Sequence, residues 1–151
     1  MAAPVTAKYE ELVLEVETDT PGTYAKLCGV MGFTVSRAAQ VDTSETPADC
    51  EDESLPYRVE RQVRSLDFQM SNVSAVWAQT SHETMMDWMY SGATKNVRVQ
   101  HVKASVGDTE YEAGPALLTQ LDHVRTKGQK VSATISIQFD GTPTRTAKAS
   151  A

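Results

Sequence analysis

Hydrophobic and polar residues alternate along several short segments of the chain, which is the pattern of β-strands that bury one face. The alternation is clearest over residues 131–139, where one side carries Val131, Ala133, Ile135, Ile137 and Phe139. The same period predicts further strands at residues 11–17, 23–37, 63–71, 97–106 and 116–124. Gly29 and Gly32 interrupt the second of these, which indicates a β-bulge or a close approach of another backbone segment.

A helical period occurs in one segment, residues 81–91. One face of this helix would carry three apolar residues at spacings of three and four, namely Met85, Trp88 and Met89. The stretch from Thr80 to Glu83 has the spacing of a capping box, and Gly92 follows as a left-handed C-cap. A helix this short is marginal by itself, so we expect its apolar face to pack on a sheet.

Two-sided strands and a single helix together predict the fold class. We expect a mainly β protein, built as an antiparallel β-sandwich or open barrel with one flanking α-helix. Its single domain would span residues 9–141, between a flexible N-terminal arm at residues 1–8 and a flexible tail at residues 142–151. Residues 108–113 are predicted as a turn or short hairpin.

Residues 38–57 follow neither period, and Pro47 and Pro56 interrupt them. Between Asp42 and Glu53 this segment carries six carboxylates and no Lys or Arg. We therefore predict a long irregular loop after the second strand, of a kind that is usually functional or disordered in a compact domain. Its carboxylates lack the spacing and the turn glycine of a calcium-binding loop, so a solvated or subunit-contacting loop is favoured over a metal site.

Charge is distributed unevenly along the 151 residues. Residues 1–60 hold 12 acids and 4 bases, for a net −8, whereas residues 61–151 hold 8 acids and 10 bases, for a net +2. The overall net charge of −6 repels phosphates, which disfavours specific nucleic-acid binding but does not prevent DNA from passing nearby. No segment has the apolar length of a transmembrane helix and the first residues do not resemble a secretory signal, so we expect no membrane anchor and assembly in a cytoplasm.

Residues with catalytic or metal-binding chemistry are sparse. His82, His101 and His123 match no metal-binding or catalytic motif, and we interpret the last two as structural histidines on strands. Cys28 and Cys50 do not form a disulfide scaffold or a C-x-x-C motif, and a disulfide between them is left open. We predict no catalytic, cofactor-binding or metal-binding residues, and therefore no enzyme.

Four segments, taken in order, carry a resemblance to a known family. They are "DTPGTYAKLCGV", "DTSETPADCEDE", "SAVWAQTSHETMMDWMYSG" and "KVSATISIQFDG". Over roughly residues 9–141 the chain resembles the major tail tube proteins of long-tailed, non-contractile bacteriophages and related gene-transfer agents. The similarity concerns architecture and the order of loops, since there is no catalytic signature to compare.

This resemblance implies a structural virion protein that forms hexameric rings by joining sheets into a continuous inner β-barrel. Stacked rings would form the tail tube that conducts double-stranded DNA during ejection, without binding it specifically. The implied partners are other copies of the chain and the terminator, distal tail and tape measure proteins, and the implied location is the virion tail, assembled in the host bacterial cytoplasm.

The resemblance also suggests roles for individual residues. The loop at residues 41–57 would contact neighbouring subunits through Asp42, Glu45, Asp49, Glu51, Asp52, Glu53 and Tyr57. The candidate bases that pair with its carboxylates are Arg58, Arg61 and Arg64, or basic residues of an adjacent subunit. Candidates for a negative, DNA-repelling lumen are Glu15, Glu17 and Asp67, and the plain alternative is that these three are solubilising surface charges.

Two other classes of function remain open from the residues alone. One is a monomeric β-sandwich that binds a carbohydrate or protein ligand, which would need an exposed aromatic platform that the scattered Trp and Tyr residues do not suggest. The other, with the least support, is a small hydrolase that uses loop carboxylates.

Overall fold

A computed structural model describes residues 3–4, 6–27 and 29–150 of the chain, without the side chains of residues 79–82. After a short 3-10 helix at Tyr9–Glu11, the first strands are β1 (Leu12–Glu17), β2 (Tyr24–Lys26), β3 (Val30–Thr46) and β4 (Arg58–Val76). Helix α1 (Gln79–Ser91) follows, and then β5 (Lys95–His101), β6 (Thr109–Val124), β7 (Ser132–Phe139) and β8 (Thr144–Ala147).

The strands form one antiparallel sheet in the order β2-β1-β5-β6-β7-β4-β3, with β8 paired to β6 beside this path. Its two end strands, β2 and β3, do not pair with each other in the described part of the chain, so the sheet is not closed. The predicted class is confirmed, since the fold is mainly β, antiparallel and open, with a single helix in the described residues.

The core lies on one face of this sheet, where many of the inward positions predicted from the alternation meet. Leu14 and Val16 of β1 lie opposite Val99 and Val97 of β5 and are buried with them. Ala133, Ile135 and Ile137 of β7 are also buried, as predicted, whereas Val131 lies outside the strand and is 39% exposed. Each fully buried aliphatic side chain contributes about 1.5–3 kcal/mol to folding, so this face provides most of the stabilisation.

Helix α1 covers the core through Met85 and Trp88, whose side chains are 1% and 4% exposed, as predicted. Met89, the third residue of the predicted apolar face, is 38% exposed, so the prediction was wrong for this residue. The helix ends at the left-handed Gly92, also as predicted. Its start was predicted wrongly, because the helix begins at Gln79 with Ala78 in the cap position, two residues before the expected cap at Thr80. Two residues before the helix, the backbone at Trp77 is held in place, because its N–H donates to Val131 O over 2.9 Å.

The irregular loop predicted for residues 38–57 is mostly a β-hairpin. Residues 38–46 of β3 pair with residues 58–67 of β4 in antiparallel register, and only residues 47–57 connect them. The alternation is weak here because both faces of the ribbon are exposed, so burial does not impose a hydrophobic period.

The second predicted strand is divided in two, and its glycines explain the division. Residues 27–29 separate β2 from β3, and Gly29 adopts a left-handed φ of 87°. A Cβ at Gly29 would lie 2.5 Å from Val76 O, which confirms the predicted close approach of another backbone segment. Gly32 lies between two register shifts of the β3–β4 ladder, which confirms the predicted bulge.

The tail predicted as flexible contains strand β8, which pairs with residues 109–113 of β6. Strand β7 pairs with β6 only from Ala116 onward, so the first half of β6 has a free edge that β8 covers. The predicted turn at residues 108–113 was therefore also wrong, since Thr109–Val124 is one continuous strand. Flexibility of the N-terminal arm stays a prediction: residues 3–4 and 6–8 carry no regular structure, and residues 1, 2 and 5 lie outside the described part.

Candidate assembly surface

The β3–β4 hairpin extends beyond the core as a two-stranded ribbon, here called the arm (residues 38–46 and 58–67). Almost every arm residue is exposed on both strands, whereas β4 becomes buried from Met70 onward. Nine residues of strand at about 3.3 Å each give the arm a length of roughly 30 Å. At its end lies the tip (residues 47–57), which contains four of the predicted loop carboxylates.

One face of the arm is apolar and continues the core face of the sheet. Cross-strand partners share a face, and the pairs Val35–Met70, Arg37–Phe68, Ala39–Leu66 and Val41–Val63 succeed one another outward. The apolar face consists of Ala39, Val41, Val59, Val63 and Leu66. Its four large side chains are 46–55% exposed, although Met70, farther in on the same face, is fully buried. Contiguous exposed apolar surface is typical of surfaces that another protein covers.

Near the tip, this face is completed by three polar residues, Thr43, Arg61 and Glu45. Thr43 lies opposite Arg61, and Glu45 lies opposite the apolar Val59. The predicted contact residue Glu45 and the predicted base Arg61 therefore lie on the same side of the ribbon as the apolar residues. A partner that covers the apolar face would also meet one carboxylate and one guanidinium near its outer end.

The opposite face of the arm is polar. It carries the pairs Asp42–Gln62, Ser44–Glu60 and Thr46–Arg58, together with Arg64. Arg64 Nη1 lies 3.5 Å from Asp42 Oδ1, so one predicted base and one predicted carboxylate pair within the chain itself. Both side chains are more than 60% exposed, and an ion pair this open contributes only about 0–1 kcal/mol.

The tip holds its shape through hydrogen bonds to two of its aspartates. Asp49 Oδ1 accepts the backbone N–H of Glu51 over 2.9 Å, and Asp52 Oδ1 accepts that of Ser54 over 3.0 Å. Hydrogen bonds from the hydroxyl and the backbone of Ser54 lower the pKa of Asp52. Glu51 and Glu53 are exposed, as are the thiol-bearing Cys50 and the larger side chains of Leu55 and Tyr57.

The described residues contain no group of three or more His, Cys, Asp or Glu side chains that could hold a metal ion. Cys28 lies outside the described residues, so the possible disulfide with Cys50 stays untested, and the side chain of His82 is likewise not described. His123 packs edge-on against Trp77, with ring centroids 3.9 Å apart, which agrees with a structural role.

At the base of the arm, Arg37 forms an ion pair that the sequence did not reveal. Its guanidinium donates two hydrogen bonds to Glu112 of β6, which is only 8% exposed, and His101 Nε2 lies 3.5 Å from the same carboxylate. Burial raises the pKa of Glu112, but the bonds from Arg37 and His101 outweigh it, so the pKa lies below the ordinary value. Strands β3 and β6 are not neighbours in the sheet, so this pair ties the arm to the body.

Two of the three predicted lumen carboxylates are already bound within the chain. Glu15 Oε2 accepts a 2.6 Å hydrogen bond from Arg98 Nε, and the Arg98 guanidinium lies over the rings of Tyr24 and Tyr111. Glu17 Oε2 accepts a hydrogen bond from the Asn96 side chain over 3.2 Å.

Asp67, the third lumen candidate, lies opposite Ala38 on the polar face at the base of the arm and is exposed. Exposure on one subunit does not distinguish a lumen-facing residue from a surface charge, so the lumen assignment stays a prediction for all three.

A family model described as phage tail tube protein matches residues 6–145. The chain belongs to this family. The resemblance read from the sequence is thereby confirmed, and the tail tube protein has a structural role rather than an enzymatic one. No helix in the described residues has the length and apolarity needed to span a membrane. Among the curated proteins, no sequence matches this chain.

Solved structures share the fold of this tail tube protein, among them the following three. The tail of an empty gene transfer agent (GTA) particle, computed with helical refinement and C6 symmetry, aligns with a TM-score of 0.71 at 14% identity, over 94% of this chain and 100% of the other. The virion of a native GTA particle gives 0.65 at 15% identity, with the same coverage. The SPP1 tail tube gives 0.69 at 13% identity, over 96% of this chain and 81% of the other.

Proposed function

We propose that this tail tube protein forms rings of six subunits, and that the rings stack into the tube through which double-stranded DNA leaves the particle. The C6 symmetry of the GTA tail with the same fold supports the ring number. The observation that carries the proposal is the arm, which presents an apolar face in continuation of the core that no described residue of the chain covers. An isolated subunit that exposes such a face is incomplete by itself.

Ring closure has a physical basis in the open sheet. The end strands β2 and β3 each have one edge that pairs with no strand in the described part of the chain. A free edge is a template for pairing with a neighbouring chain, and rotational symmetry lets each subunit use one edge to meet the other edge of the next. Joined in this way, the sheets would form a continuous barrel around the lumen.

Charge supports passage of DNA rather than its capture. A DNA-binding protein needs positive side chains that contact the phosphates, whereas the net charge of −6 repels them. A wall of this kind would keep DNA in motion along the tube. The remaining partners that we propose, the terminator, distal tail and tape measure proteins, would cap the stack or fill it, and assembly would take place in the host bacterial cytoplasm before incorporation into the virion tail.

Electron microscopy of the purified protein at high concentration tests the proposal. We expect rings and stacked tubes for the unmodified chain, and their loss when Val41 and Val63 on the apolar face are both replaced by Glu. The matched control places Glu at Ser44 and Gln62, which are close by on the polar face of the same two strands. This control should form normal tubes.

Three outcomes would contradict the proposal. Monomers that persist at every concentration would reject self-assembly. Tubes from the Val41→Glu, Val63→Glu variant would reject the role of the apolar face, and rings of another copy number would reject the hexamer.

A further inference from the structure

The open sheet leaves a groove where its first strand approaches the start of β3. This seam groove has a volume of about 320 Å³ and lies between residues 7–14 and residues 26–33. In the described residues, two hydrogen bonds join the sides. The Tyr9 hydroxyl donates to Val30 O over 2.9 Å, and the backbone N–H of Leu27 donates to Leu14 O over 3.3 Å. Residues 12–14 of β1 lack the β2 partner that residues 15–17 have, so the groove is flanked by incompletely paired strands.

The lining of the seam groove combines apolar and cationic groups. Its apolar residues are Leu12, Val13, Leu14, Leu27, Val30 and Phe33. Two lysines, Lys8 and Lys26, and one carboxylate, Glu10, lie at its sides. Neither lysine ammonium group lies in an ion pair within the described residues. An occupant with apolar side chains and several negative charges would therefore satisfy this lining.

The tip has these properties, but the tip of the same chain does not reach the groove. Phe33 at the groove and Thr46 next to the tip belong to the same strand, thirteen residues apart. At about 3.3 Å per residue, this strand separates them by roughly 43 Å. As long as β3 and β4 stay paired, a tip that fills the groove must come from another copy.

We propose that the tip of one subunit docks in the seam groove of a subunit in the adjacent ring. Leu55 and Tyr57, which are 44% and 56% exposed, would enter the apolar part of the groove. The carboxylates of Glu51 and Glu53 would approach Lys8 and Lys26, which have the opposite charge. The inference rests on the stacking proposed above, and it names the surface that receives the arm.

Tip and groove are different surfaces near opposite ends of β3, so their contact is heterologous. A heterologous contact that does not close on itself repeats indefinitely and generates an open stack. Each docked arm would also set the distance between rings. With the arm along the tube axis, the repeat would be roughly 40 Å, because that is the length of strand between groove and tip.

Charge reversal tests the pairing. Lys8→Glu with Lys26→Glu, or Glu51→Lys with Glu53→Lys, places like charges together and should raise the protein concentration needed for tubes by roughly tenfold or more. Combining all four substitutions in one chain should restore tubes. The matched control, Lys127→Glu with Lys130→Glu, makes the same change in charge in the turn between β6 and β7 and should have no effect.

A cross-link provides a second test that does not depend on energetics. In a chain with Cys28→Ser and Lys26→Cys, oxidation of preformed tubes should link the new thiol to the native Cys50 of the next ring and give a ladder of covalent oligomers. Restoring Lys26 should abolish the ladder.

Failure of this inference is distinguishable from failure of the proposed function. If tubes form but all the charge variants behave like the unmodified chain and no ladder appears, the groove is not the receptor, although the protein is still a tube subunit. A second cross-linking variant keeps Lys26→Cys but carries Ala3→Cys in place of Cys50. If this variant gives the ladder, a neighbour's N-terminal segment occupies the groove, and the proposal is overturned. Absence of tubes from the unmodified chain would reject the stacking itself.

Discussion

Strand β4 pairs with β3 along its whole length but passes through two regions with opposite surroundings. Its second half, from Met70 to Val76, alternates between buried and more exposed side chains, and pairs with both β3 and β7. Its first half pairs with β3 alone and exposes both faces. The difference shows that strand pairing forms the arm without a core beneath it, and that the hydrophobic residues of the arm are available for contact outside the subunit.

The largest expected contrast between these regions comes from deleting apolar side chains. Met70→Ala should lower the free energy of unfolding by about 2–5 kcal/mol, because it leaves a cavity among fully buried residues. Leu66→Ala, on the same face but 51% exposed, should change it by less than about 0.5 kcal/mol in the monomer. Urea unfolding of both variants measures the difference, and equal losses would mean that the apolar face is covered within the subunit.

A second contrast compares the Arg–carboxylate pair at the arm base with the pair on the arm. Glu112→Gln should destabilise the monomer by about 1–2 kcal/mol, because it removes a largely buried partner of Arg37. Asp42→Asn, which breaks the exposed pair with Arg64, should cost less than about 0.5 kcal/mol. Similar effects from the two variants would argue that the ion pair between Arg37 and Glu112 does not hold the arm to the body.

Lowering the pH tests the contribution of the Glu112 carboxylate to stability in a second way. Because the pKa of Glu112 is lower in the folded state than its ordinary 4.5, its stabilisation is complete above about pH 4.5 and is lost as the pH falls through the folded-state value. The stability difference between the unmodified chain and Glu112→Gln should therefore shrink below pH 4.5. A difference that stays constant to pH 3 would contradict this assignment.

A smaller effect is expected at the irregularity within the core half of β4. Asn72 has a left-handed φ of 54° at a register shift between Met70 and Val73. Asn72→Ala should cost about 1 kcal/mol, because residues with a Cβ other than Asn and Asp are strained in this region. Asn72→Gly should be neutral or slightly stabilising. Thermal unfolding of the pair checks this, and an equal loss from both would point to the Asn side chain instead.

The smallest effect on the monomer should come from shortening the tip. Deletion of residues 48–54 leaves a short connection between β3 and β4, and hairpins tolerate loops of this size. We expect the free energy of unfolding to change by less than about 0.5 kcal/mol, whereas stacking of rings should be lost. Sedimentation and electron microscopy of one preparation measure both, and normal tubes from the deletion variant would reject the role of the tip.

Much of the core was predictable from the sequence, and much of the assembly surface was not. The alternation identified Leu14, Val97 and Ile135 as buried, because each strand has one face on the core and one outside. The carboxylates of the tip were also found, from their density alone. The buried Glu112 was missed, although it shares the spacing of Ala116 and would have appeared as an inward charge had residues 109–124 been read as one strand.

By itself, the sequence determined a mainly β fold with one helix packed on a sheet, many of the positions that form the core, and the resemblance to tail tube proteins. These properties are local, since hydrophobic spacing reports which side of an element is buried. The tertiary structure decided that residues 38–46 and 144–147 are strands, that Arg37 reaches Glu112, and that a groove remains at the seam. Such features depend on partners distant in sequence, and residues 38–46 follow no hydrophobic period by which their pairing could be recognised.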